Sequence, residues 1–227
     1  NTKERKKLFR KDWRYLKDYS CCLLADREFV GIEWLSFLLG LPGLEFIIRI
    51  RCDGWITFPN GKKRALSLLV RNLHKGKTRI YENVILYEQS DKVRVHLVCH
   101  RSQKGELVLL ATHRSDLEQV LDLYKTRWSI ETAFGFLKSK GFDLEETHLT
   151  KPKRIQLLMG VLSLTLLWGL LVGIEAHQHK PITVKKHGRK AISFVRLGLD
   201  HLQDAITNID DQWKEFRHYC RILLSCT

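Results

Sequence analysis

The sequence predicts a mixed α/β protein, and three observations carry that expectation. Short apolar runs of strand length alternate with helical spacing over residues 1–52. Between about 53 and 115, β-branched, alternating segments are separated by turn dipeptides. From 116 to 227 the apolar residues recur at helical intervals. These three stretches are the expected divisions of the chain. With 44% hydrophobic and 10% aromatic residues in a length of 227, the protein can bury a real core and is no disordered polybasic tail. Four Pro and 14 Gly exclude collagen-like and Pro-rich designs.

The first 20 residues are basic and carry Leu8, Trp13 and Leu16 at loose helical spacing, which predicts a helix. Cys21 to Ala25 is an apolar run of strand length that ends at Asp26. Trp34 to Leu39 follows as a helix closed by Gly40 and Pro42, and Leu44 to Ile50 as a buried strand. In the middle region the predicted strands are Ala65 to Val70, Arg79 to Tyr87, Val93 to Cys99 and Leu107 to Thr112. The turn chemistry between them is Asn60-Gly61, Lys75-Gly76, Ser90-Asp91 and Lys104-Gly105. An antiparallel β unit is expected there. A helix then runs from Asp116 through Leu117, Val120, Leu121, Tyr124, Trp128 and Glu131 to Lys138, ending at Gly141. A second, almost wholly apolar helix spans about Lys153 to His177. A basic connection leads from it to an amphipathic helix with Val195, Leu197, Leu199, Leu202 and Ile206.

Charge speaks about partners. Thirty-nine Lys and Arg against 25 Asp and Glu leave a net +14, which points to nucleic acid or an anionic membrane surface. Cys21, Cys22, Cys52, Cys99, Cys220 and Cys226 form neither a disulfide framework nor paired Cys-x-x-Cys knuckles, as expected of a reducing compartment. No apolar segment follows the first charged residues, so no signal peptide is read there, and the first residue is Asn rather than Met.

The chemistry concentrates in the helix after Asp116. Tyr124, Arg127, Glu131 and Lys138 are offset by 0, 3, 7 and 14 residues. At about 100° per residue they fall within an arc of roughly 60° on an unbroken helix. Leu123, Ile130, Phe134 and Leu137 border that stripe, so the polar face adjoins the buried one, as at the floor of a cleft. A carboxylate able to hold a hard cation thus stands among a guanidinium, an ammonium and a phenol able to bind phosphates. Four such residues on a surface helix would otherwise read as solvated charges.

Those four residues and their neighbours, Tyr124-Lys-Thr-Arg127-Trp128-Ser-Ile-Glu131 and onward through Phe134, Lys138 and Gly141-Phe142 to Thr147-His148-Leu149, resemble the DDE-class transposases. More narrowly, they resemble the insertion-sequence four family, whose signature is Tyr-(2)-Arg-(3)-Glu-(6)-Lys. Leu23 to Phe29 is similar to the second-aspartate segment of that family, and Ser193 to Leu199 to its C-terminal part. The resemblance implies a ribonuclease-H-like catalytic core with an inserted antiparallel β unit between Asp26 and Glu131, and a helical C-terminal part. It implies that Asp26 and Glu131 are catalytic and bind Mg²⁺ or Mn²⁺. It further implies that Tyr124, Arg127 and Lys138 contact DNA, and that the protein works on transposon ends and target DNA as a synaptic homodimer in the cytoplasm, at the nucleoid.

The family's first catalytic Asp lies on an earlier core strand, whereas only 25 residues precede Asp26. Asp12 and Asp18 lie in a basic, helix-like segment and read as surface charges. The expectation is therefore a chain that lacks the first core strands and the N-terminal end-binding region, and is inactive alone. Some relatives stack a flipped base on a Trp of the insertion; no Trp occurs between Trp55 and Trp128, and Tyr81 and Tyr87 are the aromatic candidates. His96, Cys99 and His100 fit no zinc spacing, and His96 and Cys99 would lie on opposite strand faces. The basic clusters Lys62 to Arg64, Lys151 to Arg154 and Lys185 to Lys190 are expected to include nonspecific phosphate contacts. Leu157 to Ile174, eighteen residues without a charge, is long enough for a membrane span but is read as a core helix buried on all sides. The competing functions are a ribonuclease-H-like nuclease, a silent DNA-binding remnant and a single-span basic membrane protein.

Overall fold

The structure, a computed structural model, describes residues 1–86, 93–137, 142, 144–186, 188 and 190–225. Lys138, Tyr87, the Ser90-Asp91 turn, Gly141, Arg189 and Cys226 lie outside the described residues. The chain divides into two compact units, 1–129 and 130–227.

The first unit is a mixed α/β layer structure on one seven-stranded sheet, ordered β1-β2-β7-β6-β5-β3-β4. Its strands are β1 (Cys21–Ala25), β2 (Leu44–Ile50), β3 (Trp55–Thr57), β4 (Lys63–Ala65), β5 (Thr78–Leu86), β6 (Val93–Arg101) and β7 (Leu107–Thr112). β1 and β2 are parallel, with Cys21 opposite Leu44 and Ala25 opposite Ile48; all other pairs are antiparallel. A parallel pair needs a crossover, and α2 (Ile32–Leu39) supplies it. Because β2 pairs with β7, residues 1–52 and 53–115 share this single sheet.

Strand alternation sends the two faces of the sheet to two separate clusters. Leu44, Phe46, Ile48 and Ile50 of β2 join Val95, Leu97, Cys99, Leu109 and Ala111 on one face, where they meet α1 (Thr2–Leu16), α2 and α3 (Leu66–Val70) through Trp13, Trp34, Leu35, Leu38 and Leu69. Phe9 of α1 stacks on Trp13 and meets Trp34 and Phe37 edge-on. Ile47, Val98 and Leu110 point to the other face, where α4 (Val120–Lys125) covers them with Val120, Leu121, Leu123 and Tyr124. His96 and Cys99 do lie on opposite faces of β6. Burial pushes the Cys99 thiol up to about 12 despite nearby Arg79, so it stays a protonated core residue.

Three expectations about elements need correction. The predicted strand Ala65 to Val70 is one strand residue followed by α3. Its buried residues Leu66, Leu69 and Val70 are spaced for a helix, and a five-residue Leu-rich run satisfies either period until packing chooses. The long helix predicted from Asp116 begins at Val120 and is broken after Lys125; α5 (Trp128–Gly135) then starts a new segment. At the break Thr126 donates both its N–H and its hydroxyl to the Leu123 carbonyl, and the Arg127 N–H bonds Tyr124, so the chain tightens into three-residue turns. The single-helix stripe therefore does not exist as one continuous surface.

The third correction concerns α6 (Pro152–His179), in the second unit. It is long and apolar enough to cross a membrane by length and composition, but only 22% of its most apolar window is buried. Leu162, Gly169, Val172 and Gly173 are buried, whereas Leu157 is 71% exposed. The expected burial on all sides is not met because α7 (Phe194–Thr207) and α8 (Trp213–Leu224) approach it from one side. That contact is close: a Cβ on Gly198 would fall 1.8 Å from the Gly169 carbonyl oxygen, and one on Gly173 equally near that of Phe194. α8, which the sequence reading did not identify, is fastened by polar bonds. Trp168 Nε1 donates to the Tyr219 carbonyl at 2.8 Å, and His218 pairs with Glu175 at 2.6 Å.

Candidate active site

Asp26 stands where β1 ends. Its carboxylate accepts the Arg27 N–H at 2.7 Å and its carbonyl accepts that of Phe29, so a tight turn fixes the side chain at the strand tip. Cys22 and Leu24 belong to the α4 face of the sheet, and alternation carries Asp26 to the same side.

Tyr124 comes to that position from α4. Its ring packs on the small cluster, and its hydroxyl is buried with no acceptor for its proton among the described residues. Burial raises the phenol above its ordinary value, and the neighbouring Asp26 carboxylate raises it further, against the opposing pull of Arg127 and Arg49. Tyr124 therefore remains a protonated donor through the neutral range. The Arg127 guanidinium lies 5.7 Å from the centre of the Tyr124 ring, within cation–π range. It is held there by the same tight turn that breaks the helix.

Arg49 is the member that sequence reasoning missed. It occupies an outward position of β2, between fully buried Ile48 and nearly buried Ile50, and one of its nitrogens donates to the Leu107 carbonyl at 3.4 Å. A charged residue inside the run Leu44 to Ile50 was the available signal, since central strands seldom carry an arginine without a use for it. Within the first unit, Asp26, Arg49, Tyr124 and Arg127 thus form one constellation. Two guanidiniums and one carboxylate leave it net positive, the sign that receives a phosphodiester.

Glu131 lies in the first turn of α5, exposed, and belongs to the second unit. Among the described residues no three His, Cys, Asp or Glu side chains converge as a metal site. Asp26 and Glu131 offer the hard oxygens that Mg²⁺ and Mn²⁺ prefer, but two carboxylates are too few to fix a pair of such ions. Asp12 and Asp18 are exposed surface residues. Tyr81 donates to the Leu69 carbonyl and packs on Phe58, the contacts of a structural aromatic.

The strand-tip aspartate and the Tyr-Arg turn beside it make up the candidate site of the first unit, and a family comparison supplies the class. The family model described as Transposase DDE domain matches residues 7–168. The chain belongs to the DDE-domain transposase family, and its general function is that of a transposase, a class that cleaves and joins DNA strands. No curated protein and no solved structure matches it.

Proposed function

We propose that the protein is an insertion-sequence transposase of the insertion-sequence four type, built on a ribonuclease-H-like core, and that the α4 face of its sheet receives the transposon end. The observation that carries this reading is the grouping of the Tyr124 hydroxyl, a donor with no acceptor of its own, with Asp26, Arg49 and Arg127. Arg127 and Arg49 would neutralise the phosphate next to the scissile bond, and the Tyr124 hydroxyl would bond one of its free oxygens. Lys138 would add a further phosphate contact.

Asp26 and Glu131 would each present a carboxylate to a divalent cation, Mg²⁺ or Mn²⁺. When bound, that cation supplies an activated water and a counter-charge for the leaving oxygen. With two carboxylates in hand, the 227-residue chain alone binds DNA without cutting it. The acting enzyme is a homodimer on paired ends, in the cytoplasm at the nucleoid. The family match runs to Trp168 and so takes in the first part of α6, which supports reading that helix as part of the DNA-handling domain rather than as a membrane span.

The test is to incubate the purified chain with Mg²⁺ or Mn²⁺ and labelled duplex carrying the element's ends. Binding without cleavage is expected. Metal-dependent nicking that vanishes in Asp26→Ala would show that another carboxylate, Asp12 or Asp18, completes the set. Cleavage that survives both Asp26→Ala and Glu131→Ala would remove the chemical assignment, and absence of DNA binding would remove the whole reading.

A further inference from the structure

The first helix carries a feature that the α4-face site does not use. Lys3, Lys7, Arg10, Lys11, Arg14 and Lys17 are all exposed. Counted from Lys3 at about 100° per residue, they fall near 0°, 40°, 340°, 80°, 20° and 320°, a cationic stripe about 120° wide. α1 is a regular helix through Leu16 with Lys17 as its C-cap in helical conformation, so unlike the stripe predicted for Tyr124 to Lys138, this one is unbroken. The acidic residues stand outside it. Asp12 lies near 180°, and Glu4, near 100°, is tied to Asn1 in a capping box.

The helix is also firmly seated. Phe9 and Trp13, at about 240° and 280° on the same count, bury the side adjoining the stripe against α2, Lys6 pairs with Glu33 at 3.5 Å, and the Arg5 guanidinium lies 4.5 Å from the Phe29 ring while donating to the Glu28 carbonyl. Arg10 rests 5.1 Å from the Phe37 ring. Lys3, Lys7, Lys11 and Lys17 have no acidic partner among the described residues.

From this we propose that α1 is a second DNA-contact surface, lying along the backbone of a duplex segment on the sheet face opposite Asp26 and Tyr124. The stripe runs about 21 Å at 1.5 Å per residue, a length over which one DNA strand presents about six phosphates at 3.4 Å each. The sheet lies between α1 and α4, so the two surfaces engage different stretches of DNA. A membrane surface is the poorer fit. A helix that binds bilayers lays a broad apolar face into them, whereas Phe9 and Trp13 of α1 are spent on α2 and its exposed apolar residues, Leu8, Tyr15 and Leu16, lie outside the stripe. The surface makes no base-specific contact and would hold DNA of any sequence.

The proposal rests on the DNA-handling reading, and its test separates the two. Binding of the full chain to a random-sequence 30-base-pair duplex is followed by fluorescence anisotropy across a salt titration. Three proteins are compared with the wild type: Lys7→Gln/Lys11→Gln/Arg14→Gln, the charge-keeping Lys7→Arg/Lys11→Arg/Arg14→Lys, and Arg49→Gln/Arg127→Gln. Glutamine is a good helix former at exposed positions, and unchanged circular dichroism checks the fold. The α1 glutamine variant is expected to lower the slope of log K against log salt by about two to three units, at about 0.9 per lost phosphate contact, while the charge-keeping variant retains it. A slope untouched by the α1 variant but lowered by Arg49→Gln/Arg127→Gln overturns the proposal and leaves the proposed function standing. Wild-type protein that binds no duplex overturns both. Binding to vesicles with 30% phosphatidylserine that depends on α1, with the DNA slope unaltered, overturns it in favour of a lipid surface.

Discussion

The two faces of the sheet are built from the same strands and do different work. Phe46 and Ile47 are neighbours on β2, both fully buried, yet Phe46 joins the broad cluster under α1, α2 and α3 while Ile47 joins the small one under α4. On the broad face the cluster is apolar and aromatic, with Arg79 and Arg101 tied at its edge to the carbonyls of Leu69, Val70 and Leu73. On the narrow face the cluster gives way within one or two residues to Arg49, Asp26, Tyr124 and Arg127. Thin packing there leaves a rim where charged groups stand half-buried and partly dry, which would strengthen their action on the phosphate proposed to bind there. Thick packing on the other side holds the strands that aim them.

That contrast can be broken by experiment, beginning where the effect is largest. Phe46→Ala removes a fully buried ring and should cost about 3–5 kcal/mol, read as a lower urea midpoint. Ile47→Val, on the narrow face of the same strand, should cost about 0.5–1.5 kcal/mol. Equal losses at the matched truncations Ile47→Val and Ile48→Val, one on each face, would mean that the two faces share the load evenly.

His113 sharpens the picture through pH. Its ring lies 4.5 Å from that of Phe46, and burial lowers its pKa below the ordinary 6.5; Leu44 and Glu45 oppose the shift, while His96 and Arg114 add to it. A lowered histidine binds its proton more weakly in the folded state. Its favourable contribution is therefore full above pH 6.5 and is lost as pH falls through the folded value. The urea midpoint should drop between pH 7.5 and 5.5, and drop less in His113→Gln.

The smallest expected effect on stability is that of Tyr124→Phe. The hydroxyl proton has no acceptor among the described residues, so its loss should cost no more than about 0.5 kcal/mol of stability while weakening DNA binding. A large destabilisation would make Tyr124 a packing residue.

Much of this architecture can be read in one dimension. β1, β2 and β7 occupy the runs that apolar composition marks out, because each is a short apolar strand bounded by turn or polar residues. Asp26 is legible for the same reason, as the polar residue that ends such a run. The break between α4 and α5 is not legible: Thr126 and Arg127 are acceptable in a helix, and only the hydroxyl bond back to Leu123 with the tight turn shows that the helix stops. Arg49 becomes a site residue only when β2 is laid beside β1 and α4. The one-sided burial of α6 depends on where α7 and α8 lie, and α8 itself, amphipathic with no residue fully buried, leaves a weak signature among polar neighbours.

The central claim, that the α4 face receives DNA phosphate, is tested most directly by the salt dependence of duplex binding in Arg49→Gln/Arg127→Gln. Two lost contacts should lower the slope of log K against log salt by nearly two units, at about 0.9 each, with the fold unchanged. A slope equal to that of the wild type would contradict the claim and leave Asp26 and Tyr124 without a phosphate to act on.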